Sequence, residues 1–210
     1  MENQKIDTVE EPQTFKQSLW DLVKFALIAA VLVIPIRLWI IDPFVVSGSS
    51  MVPTFQNGDY LIVDEFSYKV SSPKRDDVVV FLYPGDPKNS LTRSAFLRFF
   101  DPGKYFIKRV IGLPGETIDI KSNTVTITNA THPEGFTLDE PFVKNISNNV
   151  LHMTLKDDEY FVMGDNRSGS SDSRIWGPVK KDFLTGRVLV RLLPVNKIAV
   201  HPGNFTPANN

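Results

Sequence analysis

Three patterns of hydrophobic and polar positions follow one another along the chain. Residues 1–19 are mostly polar, and residues 20–41 form the single long apolar run. From residue 42 to residue 200, short apolar or alternating stretches are separated by Gly, Pro, Asn and Asp. Stretches of that length and spacing are typical of β-strands. The pattern predicts a flexible tail, one long helix and a mostly β domain, followed by a second flexible tail at 201–210.

The apolar run has the length of a membrane span. As a helix its 22 residues would extend about 33 Å, close to the roughly 30 Å of a bilayer's hydrocarbon core. Its uninterrupted apolar part covers only residues 25–36, so spanning requires Lys24 and Arg37 to reach towards the headgroups. We predict a single transmembrane helix at 20–41, and a buried core helix is the alternative.

The distribution of basic residues predicts the orientation of that helix. Lys5, Lys16 and Lys24 lie before the uninterrupted apolar part, whereas after Arg37 the next basic residue is Lys69. An excess of Lys and Arg on one side marks the cytoplasmic side. We therefore expect a single-pass protein of the plasma (inner) membrane, with a cytoplasmic amino terminus and an extracytoplasmic β domain.

A cleavable signal peptide is a second interpretation of the same region. Residues 47–49 read Ser-Gly-Ser, a small-x-small pattern of the kind that ends such peptides. The leader is long and acidic, however, and residues 42–46 separate the apolar run from the small residues. We therefore expect Ser50 to stay connected to the helix.

Seven stretches of the β region are expected to be strands. They read FVV, YLIVDEF, DDVVVFLY, KYFIKRVIGL, ETIDIKSNTVTI, EYFVMG and GRVLVRLL. Each is bounded by turn-forming residues, and no repeat of fixed period is visible. They predict a compact β-rich domain with a smaller β insertion at roughly 121–155, for which the sequence indicates no function.

Charge and cysteine content narrow the chemistry. The chain has 23 Lys and Arg against 24 Asp and Glu, so no basic surplus favours a nucleic-acid partner. It has no cysteine, which excludes a disulfide framework, a thiol nucleophile and a Cys-ligated zinc site. Catalysis would therefore use oxygen and nitrogen groups, and no metal or cofactor is expected.

The positions of one serine and one lysine bear on the possible chemistry. Ser50 lies just beyond the apolar run, and Lys108 lies in a strand-like stretch. A serine hydroxyl needs a base to act as a nucleophile. The histidines at 132, 152 and 201 occur in turn-like or terminal contexts without a surrounding motif, so a Ser-His-Asp triad has little support.

Three motifs carry a resemblance to a known family. SGSSMVPT begins at Ser47, YFIKRVIGLPGE at Tyr105 and GDNRSGSSDSRIWG at Gly164. In order and character they resemble the type I signal peptidases, and the likeness extends to RDDVVVF from Arg75 and GRVLVRLLP from Gly186. The resemblance implies a membrane-bound serine endopeptidase that removes signal peptides from exported preproteins after small-x-small sites.

The resemblance implies a Ser-Lys dyad, a recognised variant of serine catalysis, with Ser50 as nucleophile and Lys108 as general base. A lysine with the ordinary pKa of about 10.4 holds too little neutral amine at pH 8 to act as a base. Burial lowers the pKa because desolvation disfavours the ammonium. The apolar neighbours expected to supply this burial are Phe106, Ile107, Val110 and Ile111.

Supporting roles follow from the resemblance alone. Ser170 would orient the lysine amine, and Asp172 and Arg174 would join an ion-pair network that holds the third motif in place. The oxyanion would be stabilised by the Ser50 backbone N–H and by a donor near Gly48. The hydroxyls of residues 47 and 49 are further candidates for this second donor.

Substrate and partners are also implied by the resemblance. An extended peptide would pair with a strand edge beside the site, while shallow pockets select small side chains. The residues placed around those pockets are Phe44, Val46, Met51, Phe55, Phe106 and Ile107. The expected partners are the signal peptides of preproteins and the lipid bilayer, and the protein is expected to be a monomer.

Two other functions remain open at this stage. Residues 71–74 match the S-x-x-K pattern of penicillin-binding enzymes, but the accompanying S-D-N and K-T-G are absent, and Pro73 disfavours the required helix. The second is a membrane-anchored or secreted β binding module, an inactive relative without enzymatic activity. Loss of Ser50 or Lys108 would have favoured that module, and both residues are present.

Overall fold

The computed structural model describes residues 15–39, 41–89 and 103–205. The chain divides into two compact units, Met1–Trp39 and Ile40–Asn210. The first contains helix α1 (Phe15–Trp39), which overlaps the span predicted at 20–41 but begins earlier and ends earlier. Within the ranges that the structure describes, no helix has both the length and the apolar character needed to cross a membrane. The side chains of residues 32–41 and the first part of the predicted tail, residues 1–14, lie outside the described residues.

The second unit is mostly β, as the sequence predicted. Its short helices are α2 (Ser67–Val70) and α3 (Ser173–Trp176). Its strands are β1 (Ile41–Val45), β2 (Tyr60–Asp64), β3 (Val78–Leu82), β4 (Tyr105–Gly112), β5 (Thr117–Ser122), β6 (Thr124–Thr128), β7 (Phe136–Thr137), β8 (Asn149–Thr154), β9 (Glu159–Met163), β10 (Val179–Lys180), β11 (Leu184–Leu193) and β12 (Ala199–Val200).

Within the described residues, the strands form two antiparallel sheets. The larger has eight strands in the order β1-β2-β11-β3-β4-β9-β10, with β12 paired to β11. The smaller has four, in the order β7-β6-β5-β8. The position of β3 follows from its sequence, because VVVFL is buried at every position and lies between β11 and β4. A strand covered on both faces favours such a continuous apolar run.

The smaller sheet shows the alternation expected of a strand with one buried face. In β5, Ile118 and Ile120 point into the core, and in β6, Val125 and Ile127 join them. This core also contains Phe161 of β9, so the two sheets share it. Successive side chains of a strand point to opposite faces, which explains the polar residues between these positions.

The structure refines the predicted strands. The stretch ETIDIKSNTVTI forms two strands, because Ser122 takes a φ of +56° and turns β5 into β6. Serine adopts this left-handed conformation only occasionally, so the stretch reads as one strand from its sequence. The strands β7, β8, β10 and β12 were not predicted, and three of them are only two residues long.

Residues 201–205 of the predicted carboxy-terminal tail are packed against the β domain. Pro202 is buried, and the Gly203 carbonyl accepts a hydrogen bond from Arg109 Nη1 at 2.6 Å. The ring of Phe205 meets the edge of Phe142 at a centroid distance of 6.0 Å. This part of the tail therefore covers a buried side chain of β4, whereas residues 206–210 lie outside the described residues.

Candidate active site

Ser50 lies on the loop that joins β1 to β2. Gly48 in this loop has a φ of +98°, a conformation that glycine adopts without steric cost. Met51 and Phe55, which follow Ser50 in this loop, are fully buried in the core and anchor this part of the loop there. Neither residue lines the cavity beside Ser50, so the prediction that both lie around the substrate pockets stays a prediction.

Lys108 lies on β4, between its neighbours β3 and β9. Its Nζ atom is 2.8 Å from Ser50 Oγ and also donates to the Ile107 carbonyl at 2.8 Å. The amine lies 5.2 Å from the centre of the Phe106 ring, and the residue is only 4% exposed. The fold therefore brings the two residues singled out from the sequence into direct hydrogen-bond contact.

The surroundings of Lys108 favour its neutral form. Burial is the main influence and lowers the pKa of Lys108 from 10.5 to about 8, because the ammonium loses its hydration. The negative charges of Asp172 and Asp165 act in the opposite direction and are weaker. Near pH 8 a large fraction of the amine is therefore unprotonated, and it can accept a proton from the serine hydroxyl.

The third motif bonds the backbone of the loop that contains Ser50. Asn166 donates from its backbone N–H to the Ser50 carbonyl and from Nδ2 to the Ser49 carbonyl, both at 3.0 Å. Gly164 approaches so closely that a Cβ atom there would lie 2.3 Å from Ser170 Oγ and 2.4 Å from the Ser50 carbonyl oxygen. Only glycine fits between these two groups, so residue 164 must lack a side chain.

The predicted pair of Asp172 and Arg174 is present and buried. Arg174 Nε and Nη2 donate to the two carboxylate oxygens of Asp172 at 2.8 and 2.7 Å. The carboxylate also accepts from the Gly164 backbone N–H at 3.0 Å, which ties the ends of the motif together. Ser170 is buried, but its hydroxyl has no hydrogen-bond partner among the described residues, so its role in orienting the lysine stays a prediction.

A second buried ion pair was missed by the sequence analysis. Arg109 Nε and Nη2 donate to both carboxylate oxygens of Asp165 at 2.9 and 2.7 Å, and both side chains are almost fully inaccessible. Arg167 pairs with Glu140 in the same way. The sequence did contain a signal for Arg109. Adjacent residues of a strand face opposite sides of the sheet, so a cation next to Lys108 must lie on the other side.

An apolar cavity of about 290 Å³ opens beside the dyad. Four of the six residues predicted to bind substrate line it, namely Phe44, Val46, Phe106 and Ile107. Residues 47–50 also line it, but the Gly48 backbone N–H donates to Asn57 Oδ1 at 2.9 Å. The predicted oxyanion donor at Gly48 is thus already bonded within the loop.

A serine hydroxyl in contact with a buried lysine, beside an apolar cavity, is the arrangement of the Ser-Lys hydrolases. The sequence model of the family described as signal peptidase, peptidase S26, matches residues 19–193. A probable signal peptidase I-1 of Synechocystis sp. is 32% identical over 193 residues, covering 90% of this chain and 91% of that protein. A signal peptidase I of Bacillus licheniformis is 32% identical over 203 residues, covering 91% and 97%.

The crystal structure of a signal peptidase I from Enterococcus faecalis is 28% identical and covers 56% of this chain and 97% of that chain, with a TM-score of 0.39. The family match and the relatives show that the chain belongs to the signal peptidase family. Its activity is that of signal peptidase I, a serine endopeptidase. The resemblance read from the three motifs is confirmed, and the penicillin-binding and non-enzymatic alternatives are set aside.

Proposed function

We propose that Ser50 is the nucleophile and Lys108 the general base with which the chain removes signal peptides from exported preproteins. The observation that carries this proposal is the 2.8 Å distance between Ser50 Oγ and Lys108 Nζ, at a lysine excluded from water. A Ser-Lys dyad requires that contact, a lowered lysine pKa and space for an acyl group next to the serine. The site has each of them.

The reaction proceeds by acyl transfer. Neutral Lys108 takes the Ser50 hydroxyl proton as Oγ bonds to the scissile carbonyl carbon, and the carbonyl electron pair moves to its oxygen. When the C–N bond breaks, the Lys108 ammonium gives that proton to the leaving amine. A water molecule then attacks the ester and passes a proton to Lys108, which protonates Ser50 Oγ as the ester bond breaks. Each cycle restores both side chains.

The Ser50 backbone N–H is the proposed donor to the oxyanion. Gly48 contributes through its backbone conformation, because its own N–H is bonded to Asn57. Ser47 and Ser49 line the same cavity, and their hydroxyls are the candidates for a second donor. Separate Ser47→Ala and Ser49→Ala variants distinguish them, since loss of one oxyanion donor lowers kcat by about 10² to 10³-fold.

The cavity supports selection of small side chains at the first and third positions before the cut. Positions two apart in an extended peptide point the same way, so both reach one cavity. The peptide is proposed to add to the free edge of β1, the end strand of the larger sheet among the described strands. The apolar wall formed by Phe44, Val46, Phe106 and Ile107 leaves limited room beside the dyad.

Residues 20–41 are proposed to anchor the monomeric chain as a single span of the plasma membrane, with the amino terminus in the cytoplasm. Support comes from the apolar sequence and from the lysines before it. Such an anchor raises the local concentration of enzyme for a signal peptide in the same bilayer. We expect the protein to stay in the membrane during alkaline extraction. With a tag at each end, protease added outside the membrane should remove only the carboxy-terminal tag. Release by alkali would contradict the span.

The test of the dyad is cleavage of a preprotein by the full chain in detergent. Ser50→Ala and Lys108→Ala should each abolish cleavage while still unfolding in one cooperative thermal transition. Lys121→Ala, at an exposed position of β5, is the matched lysine control and should cleave normally. The new amino terminus of the wild-type product should follow a small-x-small sequence. Normal cleavage by either dyad variant would refute the assignment.

A further inference from the structure

A segment of the smaller sheet contacts the third motif, which in turn bonds the loop that contains Ser50. The β7–β8 segment, residues 138–149, makes polar contacts with the third motif along much of its length. These contacts are Glu140 with Arg167, Asn145 with Asn166 and Ser168, and both Ser147 and Asn149 with Arg174. The mechanism proposed above uses none of the residues of this segment, and the sequence indicates no function for the insertion.

Asn166 is the residue through which these contacts reach Ser50. It bonds the carbonyls of Ser49 and Ser50 with its side chain and its backbone, each at 3.0 Å. The position of Ser50 Oγ relative to Lys108 depends on where that backbone lies. A displacement of about 1 Å at a reacting group lowers catalysis by about 10²-fold, so the hold of Asn166 matters to the rate.

Asn145 fixes the orientation of the Asn166 side-chain amide. Asn166 Oδ1 accepts from Asn145 Nδ2 and from the Gly169 backbone N–H, and Nδ2 then faces the Ser49 carbonyl. Rotation of the amide by half a turn would place Oδ1 against that carbonyl, with two acceptors facing each other. Asn145 Nδ2 also donates to Ser168 Oγ at 2.8 Å, so the donor itself is held in place.

We propose that Asn145 is a positioning residue for the peptidase reaction. It keeps the Asn166 amide in the orientation that bonds the Ser49 carbonyl, and thereby keeps Ser50 Oγ at bonding distance from Lys108. The proposal rests on the roles assigned above to Ser50 and Lys108. It gives the smaller sheet a part in catalysis, because residue 145 belongs to the segment between its last two strands.

A purely structural role predicts different behaviour. If Asn145 only fastened the smaller sheet, its loss would lower the thermal transition and leave kcat of the folded enzyme unchanged. Glu140 is the residue of the same segment suited to fastening, because it pairs with the buried guanidinium of Arg167. A positioning residue instead changes kcat, while KM and the thermal transition stay close to those of the wild type.

The experiment compares variants of the full chain in detergent on one preprotein. Asn145→Ala should lower kcat about 10-fold, the upper range for one neutral hydrogen bond. Asn145→Asp should lower it further, because a carboxylate oxygen would face Asn166 Oδ1. Asn148→Ala is the matched control, since this exposed asparagine has no hydrogen bond to any described residue, and it should behave as wild type.

A double variant tests the route of the effect. If Asn145 acts through Asn166, Asn145→Ala combined with Asn166→Ala should have the kcat of Asn166→Ala alone. Additive losses, an unchanged kcat in Asn145→Ala, or a loss explained by unfolding would each overturn the positioning role. Ser50→Ala distinguishes failure of the positioning role of Asn145 from failure of the proposed dyad. If it is inactive while Asn145→Ala is unimpaired, only the positioning role falls, whereas an active Ser50→Ala overturns the dyad itself.

Discussion

Two cations are buried on opposite faces of β4, and their surroundings differ. On one face, Lys108 contacts the Ser50 hydroxyl and the Phe106 ring, and no described carboxylate forms an ion pair with it. On the other face, the Arg109 guanidinium is bonded to both carboxylate oxygens of Asp165. Burial without a counter-ion favours loss of the proton, whereas burial with a carboxylate favours the charged form.

The different surroundings explain why positions 108 and 109 require different residue types. Adjacent residues of a strand face opposite sides, so β4 presents one cation to the cavity and one to the core. A guanidinium does not deprotonate in proteins, and Arg109 therefore needs the carboxylate of Asp165. A lysine amine can lose its proton when desolvated, and the general-base role proposed for Lys108 requires that loss.

The largest effect is expected from substitutions that remove the titratable amine. Lys108→Met and Lys108→Arg should each lower kcat/KM by at least about 10⁴-fold, as loss of a nucleophile's base does in other serine enzymes. Arginine keeps the charge and most of the volume but supplies no neutral amine. The measurement is single-turnover cleavage of a preprotein. Activity of Lys108→Arg within about 10-fold of the wild type would contradict the comparison.

On the other face, the main effect should be on stability. Arg109→Met leaves the Asp165 carboxylate buried without its partner and should lower the free energy of unfolding by about 3–5 kcal/mol. Urea unfolding of the β unit measures this loss. Arg109→Met combined with Asp165→Leu removes both charges and should recover much of it. An unchanged unfolding midpoint in Arg109→Met would show that the pair does not stabilise the fold.

Lys108→Met should shift stability in the opposite direction. Between the folded pKa of about 8 and the unfolded value of 10.5, the unfolded chain binds more protons, so wild-type stability rises with pH across that window. Below about pH 8 the wild type carries the cost of a buried ammonium. Lys108→Met should therefore be more stable at pH 7 by about 1–3 kcal/mol, and the difference should shrink above pH 8. Lower stability of Lys108→Met at pH 7 would contradict this sign.

The smallest effect concerns the charges near the amine. The carboxylate of Asp172 raises the pKa of Lys108, and Asp172→Asn removes that charge while leaving the positive Arg174. The acid limb of kcat/KM should then move to lower pH. Asp119→Asn, at a partly exposed pair with His152 on the smaller sheet, is the control that should leave the limb in place. A limb that moves to higher pH in Asp172→Asn would refute this influence.

The dyad could be predicted from the sequence because Ser50 and Lys108 each lie in a short motif that resembles one of the signal peptidase family. Ser50 and Lys108 were singled out from their motifs, and each of the seven predicted strands overlaps at least one observed strand. The pair of Asp172 and Arg174 was also found, since the two residues are neighbours in one motif. Local patterns suffice where the interacting groups lie in the same segment or in segments with recognisable motifs.

Contacts between distant segments were predicted only where the resemblance supplied them, as for Ser50 and Lys108. Asp165 and Arg109 are 56 positions apart, and nothing in either segment specifies the other as its partner. Met51 and Phe55 were placed around the pockets by the resemblance, and their burial in the core depends on packing that the motif does not specify. The β7–β8 segment has no hydrophobic pattern of its own, and its contacts with Asn166 and Arg174 depend on how the sheets pack.

The pH dependence of kcat/KM for preprotein cleavage tests the central claim most directly, because it reports the pKa of the free enzyme's base. We expect activity to rise with pH through a midpoint at about 8. Since the chain has no cysteine, Lys108→Cys can be aminoethylated at that one position, and its less basic amine should restore activity with a lower midpoint. A wild-type midpoint at the ordinary lysine value of 10.5 would contradict Lys108 as the buried general base. The same conclusion would follow if the aminoethylated enzyme had the same midpoint as the wild type.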